Sequence, residues 1–134
     1  MAIVKGFDIL ASGMSAQRTR LNAVSSNLAN SETTRTADGG AYQRKVPIFE
    51  AIGDDGEQAG VRVVSVDNDA APGPLVYQPG HPHANAEGYV QMPNVNVVEE
   101  MVDMMTASRS FEANVQAFQT LRDMVQKALE LGRG

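Results

Sequence analysis

Two proline-free stretches, one at each end of the chain, carry apolar residues at coiled-coil spacing and leave only a short middle between them. In the first, Ile3, Phe7, Leu10, Met14, Leu21, Val24 and Leu28 recur at intervals of four and three, interrupted only at Gln17. That is a heptad seam, narrower than the stripe of a globular surface helix. The residues between are poor helix formers: Gly6, Ser12, Gly13, Ser15, Thr19, Asn22, Ser25, Ser26 and Asn27. Each costs some tenths of a kcal/mol relative to Ala, and each glycine about 1 kcal/mol. The sum predicts a helix to about Asn30 that is unstable alone and needs a partner.

The closing stretch begins with a start signal. Asn96 stands three residues before Glu99, directly after Pro93, as an Asn version of the capping box. No proline or glycine follows until Gly132, which is placed as a helix stop. Val97, Met104, Phe111, Phe118 and Val125 lie seven apart; Met101, Val115 and Leu129 fill the offset positions, with Ser108 and Arg122 as breaks. Roughly 35 helical residues make a rod on the order of 50 Å long, which a small globular domain cannot easily use.

All six prolines (Pro47, Pro72, Pro74, Pro79, Pro82, Pro93) fall in the middle, between Glu32 and Pro93. Short β-leaning runs occur at 42–49, 61–67, 75–78 and 89–92, and Asp67 to Pro74 has the composition of a hairpin loop. In Val61-Arg62-Val63-Val64-Ser65-Val66 the alternation slips by one residue, which marks a bulge. Runs this short make a small sheet. The expected fold is mainly α with a small β insert: residues 1–34 a first helix, 35–93 a short-strand lobe, 94–134 a second helix, the two helices packing as a coiled-coil-like pair.

Charge and chemistry narrow the function. The formal net charge is −5 and no Lys/Arg cluster provides the basic footprint that nucleic acid requires. The chain has no cysteine, so disulfides and thiolate metal sites are ruled out. No apolar run is long enough to span a bilayer, so no direct membrane insertion is expected. Residues Met1 to Asp8 lack the charged and apolar regions of a cleaved signal, which leaves a cytosolic protein or one exported by a signal-free route.

His81 and His83, the only histidines, flank Pro82 in a turn-like segment and would need a third ligand from elsewhere to hold a metal. Asp54-Asp55-Gly56-Glu57 and Asp67-Asn68-Asp69 lack the alternating ligands and closing Glu of a calcium loop. Gly39-Gly40 has no phosphate-loop lysine, and no serine stands in a nucleophile elbow. Met101, Met104 and Met105, at helical spacing, read as core filling. Neither a catalytic residue, a cofactor, a metal nor a small-molecule substrate is expected.

The terminal segments resemble the flagellar axial family of rod, hook and hook-associated proteins. At the N-terminus, Ser12-Gly13-Met14-Ser15-Ala16-Gln17-Arg18 leads to Ser26-Asn27-Leu28-Ala29-Asn30, similar to the family's helix ending in Asn-x-Ala-Asn. At the C-terminus, Asn94 to Met101 runs into Phe111-Glu112-Ala113-Asn114, similar to its second helix. Three further runs resemble the proximal-rod branch: Thr34-Arg35-Thr36 with Gly39-Gly40 and Tyr42-Gln43-Arg44-Lys45; Tyr77-Gln78-Pro79-Gly80-His81-Pro82; and Glu87-Gly88-Tyr89-Val90 leading to Pro93-Asn94-Val95-Asn96-Val97. The short insert fits that branch, since hook proteins carry larger ones.

The resemblance implies a structural subunit of the periplasmic rod of the flagellar basal body, helping to transmit motor torque to the hook. Its implied partners are copies of itself, other flagellar rod proteins and the flagellar type III export apparatus, with no cleaved signal peptide. It assigns subunit packing to Phe7, Leu10, Met14, Leu21, Val24, Leu28, Val97, Met101, Met104, Phe111, Val115, Phe118 and Val125, and the family motif to Asn27, Ala29, Asn30, Glu112, Ala113 and Asn114. The competing reading is a coiled-coil adaptor or export chaperone that closes as a dimer.

Overall fold

The computed structural model describes residues 2–54 and 57–134. In chain order it contains α1 (Ala2–Ala29), β1 (Lys45–Asp54), β2 (Glu57–Asn68), β3 (Leu75–Tyr77), β4 (Tyr89–Gln91) and α2 (Val97–Arg133). The expected class is the one observed: two long terminal helices with a small β lobe between them. Asp54-Asp55-Gly56-Glu57, the first of the two acidic turns, falls partly outside the described residues.

Local chemistry sets the helix ends. Asn96 is extended (φ −96, ψ 109), and its side-chain oxygen accepts hydrogen bonds from the amides of Val98 (3.1 Å) and Glu99 (3.3 Å). Glu99 and Glu100 follow in the first turn, where the helix dipole favours negative charge. α1 ends at an amide of the opposite kind: Asn30 donates from its side chain to the Ser26 carbonyl (2.9 Å) and accepts from the Thr33 hydroxyl (3.1 Å). Gly132 does not stop α2. The helix passes through it to Arg133, with Gly134 as the C-cap, because a lone glycine costs only about 1 kcal/mol in a helix.

The strands form two separate two-stranded antiparallel sheets, β1–β2 and β3–β4. The hairpin expected across Asp67 to Pro74 is therefore absent; that segment links the sheets, and β2 pairs backwards with β1. Ile48 pairs with Ser65 and Phe49 with Val63, so Val64 is the extra residue of a bulge within the run whose alternation slips. Strand β1 starts at Lys45 rather than Tyr42 because the preceding backbone is bonded elsewhere. The Tyr42 amide donates to the Thr33 carbonyl (3.0 Å) and the Arg44 amide to Asn94 Oδ1 (2.7 Å).

A two-stranded ribbon is marginal in water and needs a surface to lie on. Here that surface is α1. Ser12 Oγ accepts from the Val61 amide (3.1 Å) while donating to the Ile9 carbonyl (2.7 Å), and the Arg20 guanidinium stands 5.0 Å from the centre of the Phe49 ring. Among the helices and strands, α2 packs only on α1, and α1 is shared between α2 and the β1–β2 ribbon. Ala16, Ala23, Val24 and Tyr42 are buried on or near the second half of α1, with Ala107 of α2; Val90 is buried in β4.

Candidate functional site

The antiparallel pairing of α1 and α2 is read from its contacts. Asn27 meets Glu100, Gly13 faces Asn114, Phe7 meets Phe118 and Gly6 faces Leu121. On α2 the side turned to α1 is thus Glu100, Met104, Ala107, Phe111, Asn114, Phe118, Leu121 and Val125, all buried or half-buried and spaced four and three apart. Of the seven-residue series expected from the sequence, Met104, Phe111, Phe118 and Val125 lie half-buried on this side and Val97 is exposed. The intervening positions lie on its other flank, so Met101 and Leu129 are exposed and Glu100, Ala107, Asn114 and Leu121 face the partner helix.

Close approach explains the difference. A Cβ on Gly13 would lie 2.9 Å from Asn114 Nδ2, and one on Gly6 would lie 3.1 Å from Leu121 Cδ2. The glycines that weaken α1 as an isolated helix are the points where the second helix comes nearest. Midway between these contacts the Phe7 and Phe118 rings meet edge to face, centroids 4.8 Å apart.

At the head of the hairpin lies a polar junction. Asn27, 1% exposed, uses its whole amide: Nδ2 donates to the Lys45 carbonyl (3.0 Å) and Glu100 Oε2 (3.1 Å), and Oδ1 accepts from the Lys45 amide (2.8 Å) and the Tyr42 hydroxyl (2.9 Å). One side chain of α1 thereby holds the first residue of β1 as a neighbouring strand would, together with the first turn of α2. Glu100, fully buried, bonds Arg44 Nε with its other oxygen, and Arg44 also reaches Asp103 at 3.4 Å. The hydrogen bond to Glu100 is the main cause of a raised Arg44 pKa, against the opposing effect of desolvation. The charge is paired and each oxygen of the Glu100 carboxylate has a hydrogen-bond partner, which limits the cost of burying it. Asn94 extends the network, donating to the carbonyls of Asp69 (3.0 Å) and Ala71 (2.8 Å).

The expected packing residues are distributed unevenly over this frame. Val24 is buried; Phe7, Leu10, Met14, Leu21, Leu28, Met104, Phe111, Val115, Phe118 and Val125 are half-buried; Val97 and Met101 are exposed. Of the motif residues, Asn27 is buried, Asn30 and Asn114 are half-buried, and Ala29, Glu112 and Ala113 are exposed. Sequence reasoning missed Tyr42, Arg44 and Glu100 as members of one site. Each stood within a run that resembles the family (Asn27 in Ser26 to Asn30, Tyr42 and Arg44 in Tyr42 to Lys45, Glu100 in Asn94 to Met101), with no indication that they meet.

His83 Nδ1 lies 2.7 Å from the Thr34 hydroxyl, and His81 Nδ1 accepts the His83 amide (3.0 Å). Among the described residues, no three His, Asp or Glu are grouped to hold a metal. None of the described helices is long and apolar enough to cross a membrane.

Such a frame, a long helical hairpin that carries a small β lobe on one helix, can act by packing against neighbours. Known proteins with similar sequences define the class. Residues 7–35 match the flagella basal body rod protein model and residues 86–131 the C-terminal model of the flagellar basal body rod FlgEFG proteins. The chain is 46% identical to the flagellar basal-body rod protein FlgC of Salmonella typhimurium, covering 99% of this chain and 100% of that one. It is 44% identical to FlgC of Aquifex aeolicus (97% of each chain) and 39% identical to FlgC of Bacillus subtilis (99% of this chain, 100% of that one). The chain belongs to the FlgC family of flagellar basal-body rod proteins.

Proposed function

We propose that this chain is a structural subunit of the proximal rod of the bacterial flagellum, built into the basal body through its two terminal helices. The observation that carries the reading is full-length similarity to FlgC proteins, including 46% identity over nearly the whole chain. The rod is a non-enzymatic element that assembles with other rod components. In this reading residues 1–34 and 94–134 are axial segments, residues 35–93 an outward lobe, and the seam residues named above pack between subunits. Similarity to FlgC proteins supports export by the flagellar type III apparatus and assembly in the periplasm as parts of this reading. The weak intrinsic helicity of α1 suits a segment that is threaded unfolded and folds on docking. The polar junction holds the lobe at a set angle to the hairpin, as a torque-bearing subunit needs.

A strain lacking the chain should be non-motile and yield basal bodies without a rod. The protein without residues 1–30, delivered to the periplasm by a fused cleavable signal, should not restore rods. Complete rods in the deletion strain would sink the rod reading. Rods built with the truncated chain would sink the assembly role of α1. The closed-dimer adaptor has no comparable support, because the similarity extends over the entire chain.

A further inference from the structure

We propose that His81 and His83 form a latch that ties the tip of the β3–β4 ribbon to the segment after α1 while both imidazoles are neutral, and that protonation opens it. The latch belongs to the chain itself and does not depend on assembly into a rod.

The ribbon has little else to hold it. Among the described helices and strands, β3 and β4 touch only each other. At its base the Met92 amide donates to the Pro74 carbonyl (2.9 Å) and the Gln91 side chain to the Gly73 carbonyl (2.7 Å). The tip, residues 78–88, closes on itself. The amides of His81, Ala84 and Gly88 donate to the carbonyls of Gln78, His81 and Asn85, each at 3.0 Å. Among the described residues, one hydrogen bond leads from this tip to a residue outside 75–91: His83 Nδ1 to the Thr34 hydroxyl, at 2.7 Å. Thr34 lies shortly after α1 ends at Ala29. Its neighbour Thr33 is bonded to Asn30 and Tyr42, so the catch is fixed to the buried junction.

The protonation state is built into the contact. The His83 amide donates to His81 Nδ1 at 3.0 Å, so that nitrogen carries no hydrogen. An imidazolium has a hydrogen on both ring nitrogens; charging His81 therefore sets two N–H groups against each other and breaks the bond that shapes the turn. The Thr34 hydroxyl can rotate to serve His83 in either state, but charge opposes the protonated one. Burial lowers the His83 pKa, and Arg35 and His81, the charged and titratable groups acting on it, lower it further. The two imidazole centres are 5.2 Å apart. Acid thus gathers positive charge from His81, His83 and Arg35 at one contact. The Asn27 junction and the helical hairpin contain no histidine and stay closed while the tip is released.

The chain has no cysteine, so spin labels attach only where cysteines are introduced. Ala37→Cys/Ala86→Cys puts one label beside the catch and one on the tip, both at exposed positions. Ser15→Cys/Gln116→Cys, also exposed, spans the helical hairpin as a control. In the full-length chain, pulsed EPR should give a narrow distance distribution for the first pair at about pH 7.5 that broadens at least about twofold by about pH 5. The control pair should not change. Asparagine can place its side-chain oxygen where histidine Nδ1 lies and does not titrate, so adding His81→Asn/His83→Asn should keep the distribution narrow at both pH values. Arg35→Gln removes a charge that lowers the His83 pKa and should move the midpoint of broadening to higher pH. A distribution that stays narrow in acid would overturn the latch, as would equal broadening in the double Asn variant. Broadening of both label pairs together would overturn it in favour of general acid unfolding. Should the double Asn variant be broad at both pH values, Arg35→Gln decides alone, and an unmoved midpoint overturns the latch.

Discussion

The two halves of the helical hairpin are built differently. Toward the lobe, α1 is covered on one side by α2 and on another by the β1–β2 ribbon, and all the buried residues of both helices lie there: Ala16, Ala23, Val24, Asn27, Glu100 and Ala107. Residues 2–15 and 108–133 contain no buried residue, although Phe7 and Phe118 meet in their midst and the ribbon reaches α1 as far as Ser12. Two helices alone bury one stripe each; a third layer is needed to enclose a side chain. The head of the hairpin is therefore a small self-sufficient core, and the tail a pair of helices whose burial is completed by neighbours.

The largest expected effect tests the head. Asn27→Leu removes all four hydrogen bonds and leaves buried Glu100 Oε2 without its partner, and should cost about 3–5 kcal/mol. Phe118→Ala, in the half-buried tail, should cost about 1–2 kcal/mol, less than a fully buried Phe. Chemical denaturation of the two purified variants measures both. Equal losses would break the distinction between head and tail.

Next comes local stability. In the isolated chain, amides of residues 2–13 and 115–133 should exchange at least about tenfold faster than those of residues 20–29 and 100–107, by hydrogen-exchange mass spectrometry. Uniform slow exchange along α1 would mean that the tail needs no neighbour. Uniform fast exchange would mean that the junction does not hold its helices.

The smallest effect concerns the lobe. Burial, Arg35 and His81 lower the His83 pKa from its usual value. A group with a depressed folded pKa binds fewer protons folded than unfolded, so its contribution is present above the ordinary histidine range and weakens as pH falls through it. Imidazole NMR titration should find His83 titrating below a peptide histidine, with Thr34 resonances following the same curve. An unshifted midpoint would remove this contact from the account.

Much of the architecture was legible because its signals are local. Asn96 caps α2 by bonding amides two and three residues on, the slipped alternation at Val63-Val64 marks the bulge, and the seven-residue recurrence of Met104, Phe111, Phe118 and Val125 points one side of α2 at its partner. Those features depend on neighbours within a turn or two of chain, and the sequence by itself determined them.

Which flank of the seam completes it was decided by the partner's shape. Gly6 and Gly13 bring α1 close to Leu121 and Asn114, and no periodicity in α2 reports on glycines roughly a hundred residues away. Likewise, the pairing of β2 with β1 rather than β3, and the meeting of Asn27 with Tyr42, Lys45 and Glu100, exist only once three distant segments have come together. A buried amide is stable only with all its partners in place, and those partners are chosen by tertiary structure, since a polar residue in a helix carries no mark of what it will bind.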